Sequence, residues 1–148
     1  MKTVLVAIDF GDASKRALDQ ARTLATCFGA SLDLLCVVQN PFSFPWAPAA
    51  PHEELLSVLE PMQRDASERL KCLLTPDETL KYRANVVTRV GKPADEILAY
   101  ARERAASLIV MGKDGHGSRT AAASIGSVAY AVTRQAPCPV LLVPATPD

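Results

Sequence analysis

The chain predicts an α/β fold: one doubly wound, five-stranded parallel sheet with helices on both faces. Three observations carry that expectation. Short apolar runs alternate with amphipathic segments along the whole length. The first run, Val4-Leu5-Val6-Ala7-Ile8, is apolar at every position and rich in branched side chains, as in a strand covered on both faces of a parallel sheet. The segments between runs place apolar residues three and four apart, the spacing of helices that lay one stripe on a sheet, and strand–helix–strand units of this kind cross over right-handedly.

Taken in order, the first strand covers residues 4–8. Ser14 is the expected cap of the helix that follows, with Ala17, Leu18, Ala21, Leu24, Ala25 and Phe28 as its inward stripe and Gly29 as its stop. Residues 32–38 form the second strand. The segment 41–51 holds four prolines among Phe42, Phe44 and Trp46 and reads as a loop. Helical spacing returns over 52–74, with Leu55, Leu56, Leu59, Met62, Ala66, Leu70 and Leu73 on one side. Pro61 inside it leaves two readings, a kinked helix or two shorter ones. Pro76-Asp77 reads as a turn, 81–90 as a third strand, and Gly91-Lys92-Pro93 as the start of a helix with Ile97, Leu98 and Ala101 inward. Residues 108–111, 126–135 and 139–143 are the fourth strand, the last helix and the fifth strand, ended by Pro144. Nothing along 1–148 divides the chain, so one domain is expected.

Composition narrows the function classes. Hydrophobic residues make up 49% and charged ones 22%, and sixteen basic side chains balance sixteen acidic ones. That balance argues against a nucleic-acid or anionic-membrane partner and is compatible with self-association. No apolar run approaches the ~20 residues of a membrane helix, and Asp9 comes too early for a signal-peptide core. A cytoplasmic protein is expected. Cys27, Cys36, Cys72 and Cys138 are scattered without metal-ligand spacing and are read as small buried hydrophobes.

Chemistry concentrates after the fourth strand. Met111-Gly112-Lys113-Asp114-Gly115-His116-Gly117 is followed by Gly126-Ser127 and an amphipathic segment. A strand, a glycine-rich loop and a helix start make an anion cradle: glycine lets backbone approach closely, and unpaired N–H groups at the helix start face negative charge. In a doubly wound sheet, ligands sit beyond the carboxyl ends of the strands where the order reverses. In the order 3-2-1-4-5 the ends at Asp9 and Gly112 are neighbours there, with Val38-Gln39-Asn40 beside them.

These residues also carry a resemblance. The runs Val4-Leu5-Val6-Ala7-Ile8-Asp9, Ser14-x-x-Ala17-Leu18, Gly91-Lys92-Pro93-Ala94-Asp95-Glu96-Ile97, Leu108-Ile109-Val110-Met111-Gly112, Gly126-Ser127-Val128 and Ala136-Pro137-Cys138-Pro139-Val140-Leu141-Leu142-Val143-Pro144 occur in one order, and the chain resembles the universal stress proteins over essentially its whole length. The resemblance implies the strand order 3-2-1-4-5, a homodimer joined by the fifth strands, and no catalytic reaction common to the family. The family's ATP-binding branch carries G-x2-G-x9-G-[ST] after strand four. Here Gly112 and Gly115 match its first half and Gly126-Ser127 its second, with ten residues, 116–125, between the halves. The longer spacer is expected to bulge near Gly117 and leave the cradle intact. The early loop reads Asp9-Phe10-Gly11 where relatives often have Asp-x-Ser.

Carried over residue by residue, the resemblance places Asp9 near the base and ribose, as an acceptor for a ribose hydroxyl or for the loop itself. Val38 meets adenine through its backbone. Gly112, Gly115 and Gly117 line ribose and phosphates. Gly126, Ser127 and Val128 donate N–H groups to the phosphates. Arg119 is the loop cation assigned to phosphate charge; Lys113 is read as solvated, and His116 and Ser118 as polar loop residues. No catalytic residue and no protein metal site is assigned. Asp9 is read as a loop cap in preference to a Mg²⁺ ligand, Mg²⁺ being expected only in company with ATP. Asp95-Glu96 suit a helix first turn, and His52 a helix start. The chain has no G-x4-G-K-[ST] loop and no Ser-His-Asp or kinase-like set. The expected function is a stress-response regulator that binds an adenine nucleotide (ATP, ADP or AMP), with a regulatory protein as a further partner. The alternatives are a nucleotide-free dimeric interaction protein and, last, a slow ATPase or nucleotidyl transferase.

Overall fold

The computed structural model describes residues 1–43, 45, 49, 51–115 and 124–146. Its elements run β1 (Thr3–Ala7), α1 (Asp12–Phe28), β2 (Ser31–Val38), α2 (His52–Lys71), α3 (Pro76–Lys81), β3 (Asn85–Val90), α4 (Pro93–Glu103), β4 (Leu108–Gly112), α5 (Ser127–Gln135) and β5 (Val140–Val143). The strands form one sheet in the order β3-β2-β1-β4-β5, every pair parallel. β1 is central: Val6 faces Leu34 on one side and Val110 on the other. Successive side chains of a strand point to opposite faces. Val4, Val6, Leu32, Leu34, Cys36 and Val110 therefore pack under α1 and α2, and Leu5, Leu35, Ile109 and Met111 under α4 and α5. Leu5, Leu32, Leu34 and Ile109 are wholly buried, each worth about 1.5–3 kcal/mol of apolar transfer.

Two local expectations about α1 change. The helix starts at Asp12, and Gly11, with extended backbone, takes the cap position in place of Ser14. Ser14 lies buried in the first turn, its hydroxyl donating to the Gly11 carbonyl at 3.0 Å. Gly29 ends the helix as expected, at φ +60°, its N–H bonded to the Ala25 carbonyl. Phe28 is exposed. A 17-residue helix is about 25 Å long, whereas a five-residue strand such as β1 spans about 17 Å, so the last turn overhangs the sheet.

α2 passes through Pro61 as one helix and buries Leu59, Ala66 and Leu70. Leu56 and Met62, expected on the inward side, are exposed. At 100° per residue both lie about 60° off the line through Leu59, Ala66 and Leu70, at the rim of the contact.

The expected turn at Pro76-Asp77 is instead the helix α3. Thr75 Oγ1 accepts the Glu78 N–H at 3.1 Å, and the Glu78 carboxylate accepts the Thr75 N–H at 2.9 Å. This reciprocal cap, with Pro76 opening the helix, nucleates it. The Thr75 N–H foremost, with Arg22, holds the Glu78 carboxyl below its ordinary range. Arg22 also donates to the Leu73 carbonyl at 2.6 Å, pinning α1 to the end of α2. The third strand consequently starts at Asn85 rather than at 81.

One charge lies inside the sheet. The Asp33 side chain is fully buried on β2. Its Oδ1 accepts from Asn85 Nδ2 at 2.9 Å, and its Oδ2 from Tyr100 Oη at 3.0 Å and Arg104 Nε at 2.9 Å. Arg89 of β3 caps the same Tyr100 ring at 4.9 Å and pairs with Glu96 and Glu103 of α4. These contacts bind the edge strand to α4.

The cysteines divide. Cys36 is buried, and Cys138 is partly so, but Cys27 and Cys72 are exposed, on the last turn of α1 and just past α2, on the sides turned away from the core residues Ala25, Leu70 and Leu74. Burial, with the Asp9 charge second, pushes the Cys36 thiol up to about 11. Among the described residues no helix is long and apolar enough to cross a membrane.

Candidate functional site

The carboxyl ends of β1, β2 and β4 meet at the reversal of strand order. Ala7 pairs with Leu35 and with Met111, so the chain beyond β1 runs between the ends of its two neighbours. There Asp9 Oδ1 accepts the Gly11 N–H at 2.9 Å, the loop-capping geometry. Between them Phe10 takes φ +64°, a left-handed conformation uncommon outside glycine, asparagine and aspartate. Its ring packs against the α1–α2 core and lies 4.0 Å beneath the guanidinium carbon of Arg69.

Val38 closes β2. Its side chain is buried, and its carbonyl accepts the Gly91 N–H at 3.0 Å, which occupies one of that carbonyl's two lone pairs.

Gly112 closes β4 where no side chain fits. A Cβ there would lie 2.8 Å from Ala13 Cβ, so the first turn of α1 sits directly on the end of β4. The next residue extends the sheet, Lys113 N–H donating to the Val143 carbonyl at 2.8 Å. The Lys113 carbonyl then accepts the Gly126 N–H at 2.8 Å. Gly126 is thereby folded back on the loop: a Cβ on it would lie 3.2 Å from the Lys113 oxygen and 3.3 Å from the Gly115 nitrogen. The two halves of the glycine motif, far apart along the chain, are in contact at their ends.

Gly115 contrasts with both. A Cβ there would meet nothing within 4 Å, so the space above it is open. Gly126 is the N-cap of α5 with extended backbone. Ser127 is exposed and Val128 half-buried behind it. The first N–H groups of any helix have no partner within it and carry the positive end of its dipole. The site thus presents open space at Gly115, a helix start beside it, and a carboxylate at Asp9 on the neighbouring strand end.

Of the assigned residues, Asp9, Val38, Gly112, Gly115, Gly126, Ser127 and Val128 fall on this face. Gly117 and Arg119, with His116, Ser118 and the expected bulge, lie outside the described residues, as do Phe44 and Trp46 of the aromatic loop. Phe42 is described, half-buried, its N–H on Asn40 Oδ1 at 2.8 Å. Among the described residues no three His, Cys, Asp or Glu side chains gather to hold a metal. Sequence reasoning missed Arg69: it sits 59 residues from Phe10 in the chain, and nothing local marks it.

A five-stranded parallel sheet in this order, with its loops converging on the reversal point, defines the class of doubly wound α/β domains that take ligands beyond the strand ends. A profile of the universal stress protein family matches residues 1–144, and the chain belongs to that family. It is 32% identical over 144 residues to universal stress protein YxiE of Bacillus subtilis, covering 95% of this chain and 97% of that one. Among solved structures it is similar to universal stress protein UspA from Lactobacillus plantarum, at TM-score 0.73 and 26% identity over 96% of this chain and 97% of that one. It is also similar to a universal stress protein in complex with cAMP, at TM-score 0.62 and 25% identity over 98% of each chain.

Proposed function

We propose that this universal stress protein binds an adenine nucleotide at the carboxyl ends of β1, β2 and β4 and works as a regulator whose partners depend on that occupancy. The contrast among the three glycines carries the reading. Gly112 and Gly126 are filled against protein, and Gly115 alone faces open space, on the strand side of a helix start. Phosphate would lie over Gly115 against the N–H groups and hydroxyl of Ser127 and the N–H of Val128. Asp9 would accept from a ribose hydroxyl, and the end of β2 at Val38 would border the base. The relative in complex with cAMP supports an adenine nucleotide as the class of ligand. Mg²⁺ would accompany a triphosphate. Asp9 serves the loop and the ribose in this reading rather than a water, and hydrolysis would be slow.

The same reading includes a homodimer. β5 is the outer strand on one side of the sheet, and its Leu141 is exposed. Pairing two copies along this edge would cover both. Sedimentation giving the mass of a single chain would end that part of the reading.

Gly115→Val tests the site. A Cβ at Gly115 meets no described atom within 4 Å, so the melting temperature without ligand is expected to stay within ~2 °C of wild type. Wild type should gain about 2.7 kcal/mol at an ATP concentration 100-fold above Kd, and Gly115→Val should gain none. No stabilisation of wild type by millimolar ATP, ADP or AMP would refute nucleotide binding, and an equal gain in the variant would move it elsewhere.

A further inference from the structure

Arg69 stands out beside this site. Its guanidinium carbon lies 4.0 Å over the centroid of the Phe10 ring. Phe10 is itself fixed, by a left-handed backbone between Asp9 and the Gly11 N–H that Asp9 holds. Backbone strain of that kind costs on the order of 1–3 kcal/mol and persists where the surroundings enforce it, often at ligand sites. Arg69 and Asp9 also converge on one point of β2. The Cys36 thiol, raised chiefly by burial, is raised further by Asp9 and lowered by Arg69, so both charges stand close to it. Among the described residues Arg69 has one ion pair, a loose one 4.0 Å from Asp65, and its side chain remains 55% exposed. One face of a planar cation is therefore clamped by an aromatic ring, and much of the remainder is open to solvent near the end of β1.

We propose that the open face of the Arg69 guanidinium, clamped by Phe10, is the platform on which the base of the bound nucleotide stacks. This rests on the nucleotide reading above and adds to it the residue that recognises the planar base. A guanidinium is planar, delocalised and weakly hydrated, and stacks on aromatic faces; a lysine ammonium offers charge without a plane. Phe10, Arg69 and the base would form a three-layer stack, with Asp9 at the level of the ribose. The clamp leaves little freedom to lose when a base arrives, which favours affinity.

The test is calorimetric titration of AMP and of ribose 5-phosphate into the full-length protein, wild type, Arg69→Ala, Arg69→Lys and Phe10→Leu, with melting curves as a folding control. Arg69→Ala is expected to weaken AMP about tenfold while ribose 5-phosphate changes less than twofold. Arg69→Lys is expected to remain as weak as Arg69→Ala. Phe10→Leu, which keeps the cation but frees its plane, should fall in between. The proposal is overturned if AMP affinity in Arg69→Ala stays within twofold of wild type, if both ligands weaken equally, or if lysine restores full affinity, since the last two make Arg69 a charge for phosphate. Wild type that binds no AMP brings down the nucleotide reading and this proposal together. Wild type that binds AMP regardless of residue 69 brings down the proposal alone.

Discussion

Replacing Asp33 should expose how much this fold depends on one buried carboxylate. In Asp33→Ala three donors lose their acceptor. Tyr100 is 4% exposed, so its hydroxyl cannot return to water and costs about 1–3 kcal/mol. Arg104 has a side chain 45% exposed and can rehydrate, so its share is small. Asn85 is exposed and adds a few tenths. The expected destabilisation is about 1–4 kcal/mol, or roughly 3–12 °C in melting temperature for a chain of this size. Urea unfolding followed by circular dichroism measures it. Asp33→Asn should cost nearly as much, because its amide can serve Asn85 or the Tyr100–Arg104 pair but not both. The double variant with Arg104→Ala should lose less than the sum of the two single losses by more than 0.5 kcal/mol, the mark of residues in one network. A loss below ~0.5 kcal/mol in Asp33→Asn, with simple additivity, would show that the contacts do not hold the edge strand to α4.

Further outcomes follow from the same geometry. Gly112→Ala places a Cβ 2.8 Å from Ala13 Cβ and must push α1 off the end of β4; it should cost about 1–3 kcal/mol by thermal melting, whereas Gly115→Ala should cost almost nothing. Equal costs at the two positions would contradict the packing described. Burial, then the Asp33 charge, push the Tyr100 phenol up to about 12, above its ordinary value near 10. The native phenol keeps its proton while the unfolded one loses it, so this contribution is whole below pH 10 and disappears as pH rises through 12. Spectrophotometric titration should show an ionisation near pH 12 that Tyr100→Phe lacks, and parallel stability curves for the two proteins from pH 9 to 12 would refute the assignment.

The central strands were legible because parallel strands covered on both faces must be apolar throughout, as Val4 to Val6 and Ile109 to Val110 are. Helix identity was equally legible, but helix faces were less so. Periodicity marks the stripe, but what lies beneath it decides how much is covered: Phe28 sits on the last turn of α1, and Leu56 and Met62 lie about 60° off the buried line of α2. α3 was readable in principle: Thr75-Pro76-Asp77-Glu78 is a capping box with proline at its first helical position, a signal that the turn propensity of Pro-Asp outweighed. The start of α1 misled for a related reason. Asp9 holds the Gly11 N–H, so the cap falls on glycine and Ser14 is drawn inside. At the site, glycine spacing located the loop, while its closure between Lys113 and Gly126 required the fold. Asp33 and its partners, like Arg69 and Phe10, are separated by 52 to 71 residues, and no local pattern encodes such pairs.

The hydrogen bond from Gly126 to the Lys113 carbonyl holds the two ends of the segment 114–125 together at 2.8 Å. Loop-closure entropy grows as (3/2)RT ln n, so lengthening such a loop from eleven residues to twelve costs only about 0.1 kcal/mol. A neck fixed this way separates the geometry at Gly115 and the start of α5 from the number of residues in the excursion. Insertions there are nearly free in thermodynamic terms, and the excursion is a natural place for relatives to diverge in length and for an engineer to graft a peptide or a reporter.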